Sequence, residues 1–508
     1  MPESPHGSGG ASDSRPYRVA AALMRLLIRV FFRRVEVDGL ENVPVDRGGL
    51  LVAWHPNGLV DPALIMTRLP DRVVFGARHG LLRIPVLGAI MRALGTVPIY
   101  RASDHPAAEE RSRRAANRAS LDALAEKIVE GKLSALFPEG ESHDAPHLME
   151  LKSGAARLYY AARRIQASGD WPLDLPGPAI LPVGLHYDRK HAFRSRALVQ
   201  FHPPLAIPPG LDVSPEPDEP IEAFLDRARR LTGVIERGLE AAVLPTETWE
   251  IHGLMHRARK LVRAERAARA GTDPGRPRLL ERQVGFSRVW TGYRALLASD
   301  AVAVERLVDR VREYEADLRA LDIEDHELDR DPRLGSAMLP LILAGQVVMV
   351  YVLLPPILVV GLLVNLPPAW LTSVLARRFA KAAKDEASLK VLIGVVLFPL
   401  TWIGVAAAIT LGLVRLQGWF PALPSAPLVA GVSVAALGAA GGIMALRYRR
   451  LSAETARAVR VRRTRRRRAS EVDRLRTERS DLCDRILALA EGLDLPGRVA
   501  PDGTVSTQ

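Results

Sequence analysis

A histidine and a carboxylate share one short stretch, Trp54-His55-Pro56-Asn57-Gly58-Leu59-Val60-Asp61-Pro62, directly after an apolar run. Imidazole titrates near neutrality, so it can take a proton from a hydroxyl. A carboxylate on its other nitrogen would hold the tautomer and stabilise the imidazolium that forms. His55 is a candidate general base and Asp61 its partner, with a structural histidine at a strand end as the competing reading. A second polar stretch, Phe137-Pro138-Glu139-Gly140-Glu141-Ser142-His143-Asp144, follows another apolar run about 80 residues on. Ser142, His143 and Asp144 have the composition of a triad. Three adjacent residues cannot converge as a triad does, and the chain holds no Gly-x-Ser-x-Gly elbow. His143 and His147 lie four apart and, with Asp144, would suit a metal pair.

The elements that must position these residues show in the apolar pattern. Val35–Val37, Gly49–Ala53, Val73–Gly76, Val97–Ile99, Leu133–Phe137, Ile180–Leu185 and Ala197–Phe201 read as strands. Residues 61–68, 84–94, 107–130 and 150–167 read as helices. Strands interleaved with helices predict an α/β domain over 35–220, a mostly parallel sheet with flanking helices. Both polar stretches fall where strands run into loops, the usual place for chemistry in such folds.

The blocks occur in an order that resembles the glycerolipid acyltransferases, and among them the fungal-type glycerol-3-phosphate and dihydroxyacetone-phosphate acyltransferases. His55 to Pro62 is one residue longer than the common His-x4-Asp form and matches that subgroup's longer variant. Gly95-Thr96-Val97-Pro98-Ile99-Tyr100-Arg101, Phe137 to Asp144 with Leu151-Lys152-Ser153-Gly154-Ala155-Ala156, and Leu181-Pro182-Val183-Gly184-Leu185 follow, and Phe193-Arg194-Ser195-Arg196 also fits. The resemblance covers about 35–210.

It implies that His55, oriented by Asp61, deprotonates the acceptor's own hydroxyl for attack on a fatty acyl thioester. The expected acceptor is the sn-1 hydroxyl of glycerol-3-phosphate or dihydroxyacetone phosphate. Lysophosphatidate, the acceptor of the next step, is the alternative. It also implies a substrate site of Arg101, Glu139 and Gly140, joined by Asn57 and Ser142. A guanidinium at Arg101 suits a phosphate. Gly140 would allow close backbone approach, and Glu139 would hold a glycerol hydroxyl or fix the loop. Lys152 is a second phosphate candidate or a solvated helix lysine. No cofactor and no metal are expected, only acyl-CoA or acyl carrier protein as co-substrate. A non-catalytic scaffold on the same fold would predict loss of His55 or Asp61, and both are present.

The rest of the chain points to a membrane. A formal charge of +13 and a pI of about 10.2 over 508 residues favour anionic partners. Cys483 is the only cysteine, so no intrachain disulfide forms. Residues 1–16 read as a disordered tail without a signal peptide's apolar core. Residues 17–34 set Arg18, Arg25, Arg29 and Arg33 against Leu23, Leu26, Leu27, Val30 and Phe31, a basic amphipathic helix suited to a membrane interface and anionic lipids. After prolines in 203–220, residues 221–335 form a charged helical region.

Residues 336–446 are apolar. A hairpin over 337–370, bent at Pro355-Pro356, is predicted, then transmembrane helices over 391–414 and 427–446. Lys and Arg cluster between the first and second runs and again after the third, which predicts the catalytic domain and the basic tail 447–508 on the cytoplasmic side. Beside a membrane segment Arg462–Arg468 reads as a stop-transfer and lipid contact, so no nucleic acid partner is expected. Val472, Leu475, Leu482, Ile486 and Leu489 make a near-heptad stripe, which leaves homo-oligomerisation through the tail helix open.

Overall fold

The computed structural model describes residues 14–100, 110–169, 177–216, 218–273, 275–329, 338–380, 383–421, 426–500 and 504–506. The disordered tail expected over 1–16 lies outside them up to residue 13. The chain divides into two compact units, Met1–Glu247 with Ala382–Ser388, and Thr248–Lys381 with Leu389–Gln508.

The first unit runs α1 (Arg15–Phe31), β1 (Phe32–Asp38), β2 (Gly49–Ala53), α2 (Val60–Arg68), β3 (Val73–Arg78), α3 (His79–Leu82), α4 (Pro85–Ala93), β4 (Val97–Ile99), α5 (Glu110–Val129), β5 (Leu133–Leu136), α6 (Gly154–Ser168), β6 (Ala179–Tyr187), β7 (Ser195–Phe201) and α7 (Ile221–Val243). Seven strands make one sheet in the order β1-β7-β6-β2-β5-β3-β4. Every adjacent pair is parallel except β6 with β7. β2 is buried at all of its residues, as a central strand covered on both faces must be, and so it reads as a continuous apolar run rather than an alternating one. Leu124 and Ile128 of α5 and Leu158 and Tyr159 of α6 pack with Leu50, Val52 and Ile180 of the sheet.

Two boundaries differ from the sequence reading. The acyltransferase-like unit does not stop at 220. Ala228, Leu231, Ile235, Leu239 and Ala242 recur at three- and four-residue steps along α7 and are all buried, a stripe that belongs to this unit's core. The expected helix over 17–34 ends at Phe31, because β1 pairs with β7 from Phe32 onward and draws residues 32–34 into the sheet. α1 buries Tyr17, Ala20, Ala21, Ile28 and Phe31 and leaves Val19, Leu26 and Val30 exposed.

The second unit contains α8 (Trp249–Arg269), α9 (Leu279–Ser299), α10 (Ala301–Ala320), α11 (Met338–Val348), a π-helical turn (Met349–Leu353), α12 (Leu354–Phe379), α13 from Leu389 onward (the helix as a whole is Ala383–Trp419), α14 (Pro427–Arg467), α15 (Ala469–Leu489) and a small hairpin of β8 (Arg498–Val499) and β9 (Val505–Ser506). Ser388–Trp419 and Pro427–Arg467 are long and apolar enough to cross a membrane. α15 packs on α8 and α10 and buries Val472, Leu475 and Leu482. Three of the five residues of the stripe expected to support self-association are therefore spent within their own chain. Arg479, 2% exposed, lies in the same seam, where its Nε donates to Glu265 Oε2 at 2.8 Å and its Nη1 meets Asp329 Oδ2 at 2.7 Å.

The predicted hairpin over 337–370 is not formed. Gln346 Nε2 donates to Thr455 Oγ1 at 2.7 Å, Tyr351 O–H to Ser452 O at 3.1 Å, and Asn365 Nδ2 to Gly438 O at 2.6 Å. Numbers rise on one side as they fall on the other, so α11 and α12 follow one antiparallel path along α14. The proline pair does not reverse the chain because it occupies the first turn of α12, where no backbone N–H is needed. A Cβ added to Gly361 would stand 2.7 Å from Gly441 Cα, so the two backbones touch.

Candidate active site

β2 and β5 are neighbours in register, with Val52 opposite Leu136. Three residues further along each strand stand His55 and Glu139, which is how the sheet brings together stretches far apart in sequence. Two bonds join them. The His55 N–H donates to Glu139 Oε2 at 2.9 Å, and the His143 N–H donates to His55 O at 3.0 Å. The other Glu139 oxygen accepts from the Met149 N–H at 2.9 Å and bonds His143 Nε2 at 2.6 Å. His143 Nδ1 accepts from the Ala145 N–H at 3.2 Å, which leaves Nε2 to carry the proton that Glu139 receives. Glu139 is 3% exposed; both its oxygens hold the loop to the His55 strand. Gly140 turns that loop with φ +76°, a left-handed value suited to glycine.

Asp61 sits in the first turn of α2, where the helix dipole favours a carboxylate. It is 0% exposed and takes three donors. His55 Nδ1 lies 2.8 Å from Oδ2, the Asn57 N–H donates to Oδ2 at 2.7 Å, and the Tyr187 hydroxyl donates to Oδ1. With all three groups aimed at an anion, the proton of neutral His55 is on Nδ1. Nε2 then keeps its lone pair, and among the described residues nothing bonds it. The imidazole stacks on Phe137 with ring centroids 4.0 Å apart and planes 14° off parallel. Burial, and then the charge of Asp61, push the Tyr187 phenol well above its usual pKa, so it stays a donor. A fixed imidazole with a free Nε2 on a buried carboxylate can act as a general base toward a hydroxyl.

The other sequence-derived residues divide. Asn57 is buried and its Nδ2 donates to Lys190 O at 3.1 Å. Ser142 is half-buried in the same loop. The Lys152 N–H donates to Pro138 O at 2.7 Å while its ammonium stands exposed, 3.2 Å from Glu150. Arg101 lies outside the described residues. Sequence reasoning missed Tyr187, the ion pair of Lys190 with Asp144, and Ser388. Ser388 belongs to this unit and its hydroxyl accepts from the Leu59 N–H at 3.1 Å. None of the three has a local signal. Tyr187 is 126 residues from Asp61 and only the sheet order brings it there.

Residues 34–186 match the Acyltransferase family, and residues 285–494 match the glycerol-3-phosphate acyltransferase 2 C-terminal domain. An uncharacterised acyltransferase of Schizosaccharomyces pombe is 25% identical over 399 residues, 61% of this chain and 55% of that protein. Glycerol-3-phosphate O-acyltransferase 1 of Saccharomyces cerevisiae is 28% identical over 206 residues, 40% of this chain and 24% of that protein. The 1-acyl-sn-glycerol-3-phosphate acyltransferase of Borreliella burgdorferi is 24% identical over 174 residues, 33% of this chain and 59% of that protein. The matches thus span between 24% and 59% of these curated relatives' length. Residues 34–186 thus carry an Acyltransferase-family domain, and the two matched regions together with these relatives fit the glycerolipid acyltransferase family.

Proposed function

We propose that this protein transfers a fatty acyl group from an acyl thioester to the sn-1 hydroxyl of glycerol-3-phosphate or dihydroxyacetone phosphate, as a step of phospholipid synthesis. The observation that carries this is His55 with Nδ1 held by buried Asp61 and Nε2 free. Nε2 takes the hydroxyl proton as the oxygen attacks the thioester carbonyl. The C–S bond then breaks, and the proton on Nε2 passes to the departing thiolate, so the products are an ester and a free thiol. Glu139 acts through the loop it fastens, while Arg101 and Lys152 meet the acceptor's phosphate. The donor is acyl-CoA or an acyl carrier protein.

The reaction takes place at a membrane. Arg25, Arg29, Arg33, Arg34 and Arg68 line a hollow of about 230 Å³ under α1, beside the exposed Val19, Leu26 and Val30, an arrangement suited to anionic headgroups and the lipid beneath them. The two long apolar helices anchor the chain. The packing of α15 on α8 and α10 supports a tail on the same side as that bundle. The basic loops assign that side to the cytoplasm.

The relative from Borreliella burgdorferi supports a second reading, in which lysophosphatidate is the acceptor. Membranes holding wild type or His55→Ala, offered labelled glycerol-3-phosphate or lysophosphatidate with either donor, decide between them. Product from glycerol-3-phosphate that His55→Ala lowers by about 10²- to 10⁴-fold is the expected result. Product from lysophosphatidate alone moves the enzyme one step along. No product from either acceptor with either donor refutes the acyl-transfer assignment.

A further inference from the structure

The second unit holds a cavity that the acyl-transfer site does not use. It lies among α8, α9, α10 and α15 and measures about 130 Å³. One water-sized sphere takes about 10–15 Å³ on that measure, so there is room for roughly ten methylene-sized groups. Met255, Val289, Leu307 and Val311 make its walls apolar, yet Arg259, Arg263, Arg266 and Arg288 also line it. Glu281 is the only acid among the described lining residues, and Arg263 takes it at 2.6 Å. Arg288 donates to the carbonyls of Leu495, Pro496 and Gly497.

Arg259 and Arg266 have no hydrogen bond or ion pair among the described residues. Arg259 is 6% exposed and its Nε is buried without a partner. Burial, with Arg282 and Arg263 nearby, pushes its pKa down to about 9. A buried cation without a hydrogen-bonded counter-charge is costly, and Glu281 and Asp325 offset the charge of Arg259 only in part, through space and with no hydrogen bond or ion pair to it among the described residues. Gly285 fixes its place, since a Cβ there would stand 3.0 Å from Arg259 Cγ and Cδ. Arg266 is seven residues on, on the same face of α8.

An apolar cavity walled by two guanidiniums without a direct partner asks for a chain with a doubly charged head. We propose that this helical unit binds one single-chain phosphate-monoester lipid, lysophosphatidate in kind, with the head-proximal part of its acyl chain in the cavity and its phosphate on Arg259 and Arg266. A phosphate monoester carries close to two negative charges at neutral pH and takes guanidinium forks bidentately, which a fatty carboxylate matches only partially. The site stands on this unit's own geometry and does not depend on which acceptor the His55 site uses.

The test uses the full-length protein in detergent and equilibrium binding of labelled oleoyl-lysophosphatidate, with excess glycerol-3-phosphate and acyl donor omitted. Arg259→Met removes the charge and keeps the bulk, and it should hold or raise thermal stability because an unpaired buried charge is lost. Gly292→Leu fills the cavity, since a Cβ at Gly292 meets nothing within 4 Å. Each should weaken one lysophosphatidate site at least tenfold while His55-dependent acyl transfer persists. Oleate should bind more weakly, and monooleoylglycerol and inorganic phosphate weakly or not at all. Wild-type affinity in both variants overturns the proposal. So does equal binding of monooleoylglycerol, which would mean a neutral lipid pocket, or equal competition by inorganic phosphate, which would mean an anion site without a chain.

Discussion

Tyr187→Phe isolates the contribution of Asp61 to the base. The tyrosine hydroxyl is the described donor to Asp61 Oδ1; the other two donors go to Oδ2. Phenylalanine keeps the ring, which lies 5.9 Å from that of Phe32, and deletes one bond to a buried carboxylate. A hydrogen bond to a charged group contributes about 1.5–3 kcal/mol, so the catalytic unit should lose about 2 kcal/mol and melt about 4–8 °C lower. The second effect is on His55. With one donor gone, Asp61 carries more unscreened charge toward the imidazole and holds the imidazolium more tightly. The base works only when neutral, so the acidic limb of the kcat/KM profile moves to higher pH, by up to about 1 unit for 1.4 kcal/mol. Tyr187 itself stays protonated throughout, because burial and the charge of Asp61 hold its pKa far above this range. Acyl-transfer rates from pH 5 to 9, with thermal inactivation in the same detergent, read both effects. An acidic limb that stays put or moves to lower pH would refute the coupling of Tyr187 through Asp61 to His55.

Other outcomes follow from other contacts. Glu139→Gln offers a single oxygen where the carboxylate accepts at two, so one bridge of the site loop is lost; kcat should drop about 10- to 100-fold with the KM for the acyl donor little changed, by initial rates at saturating acceptor. Arg479→Met breaks a buried ion pair and should cost the helical unit about 3–5 kcal/mol, measured by thermal unfolding. Its partner Glu265 is raised by burial, but hydrogen bonds from Arg269 and Arg479 outweigh this and hold it below its usual value. That carboxylate therefore adds stability above its unfolded pKa of about 4.3 and loses it as pH falls toward its lower folded value; acid unfolding should show this loss in wild type and less of it in Arg479→Met. Gly361→Leu has to push apart a pair of touching backbones and should destabilise the packing of α12 on α14 by about 1–3 kcal/mol, visible as earlier thermal aggregation, whereas Gly404→Leu, with nothing within 4 Å, should not.

Local pattern revealed most of the sheet and half of the site. The strands of the catalytic unit are short apolar runs bounded by turn residues, a signal that survives reading in one dimension. His55 and Asp61 fall within one stretch and so declared themselves. What failed was non-local. α7 has the charged surface of a spacer helix, and only its stripe from Ala228 to Ala242 says that it has a sheet to cover. The stripe of α15 is equally good for a second copy or for α8 and α10, because periodicity shows that a face is apolar and not what covers it. Pro355-Pro356 suggested a reversal because a proline pair inside a helix breaks it, but at the start of one it costs nothing.

The pairing of Arg479 with Glu265 also constrains the order of events at the ribosome. The two residues are 214 positions apart, and at about 5–20 residues per second the second is made roughly 10–40 s after the first. Through that interval α8 and α10 wait with an apolar seam open and an acid without its arginine. A chain stopped short of about residue 470 can hold a finished catalytic unit and still present that seam to quality-control proteases, so late nonsense mutations should lower abundance far more than they lower the specific activity of what survives.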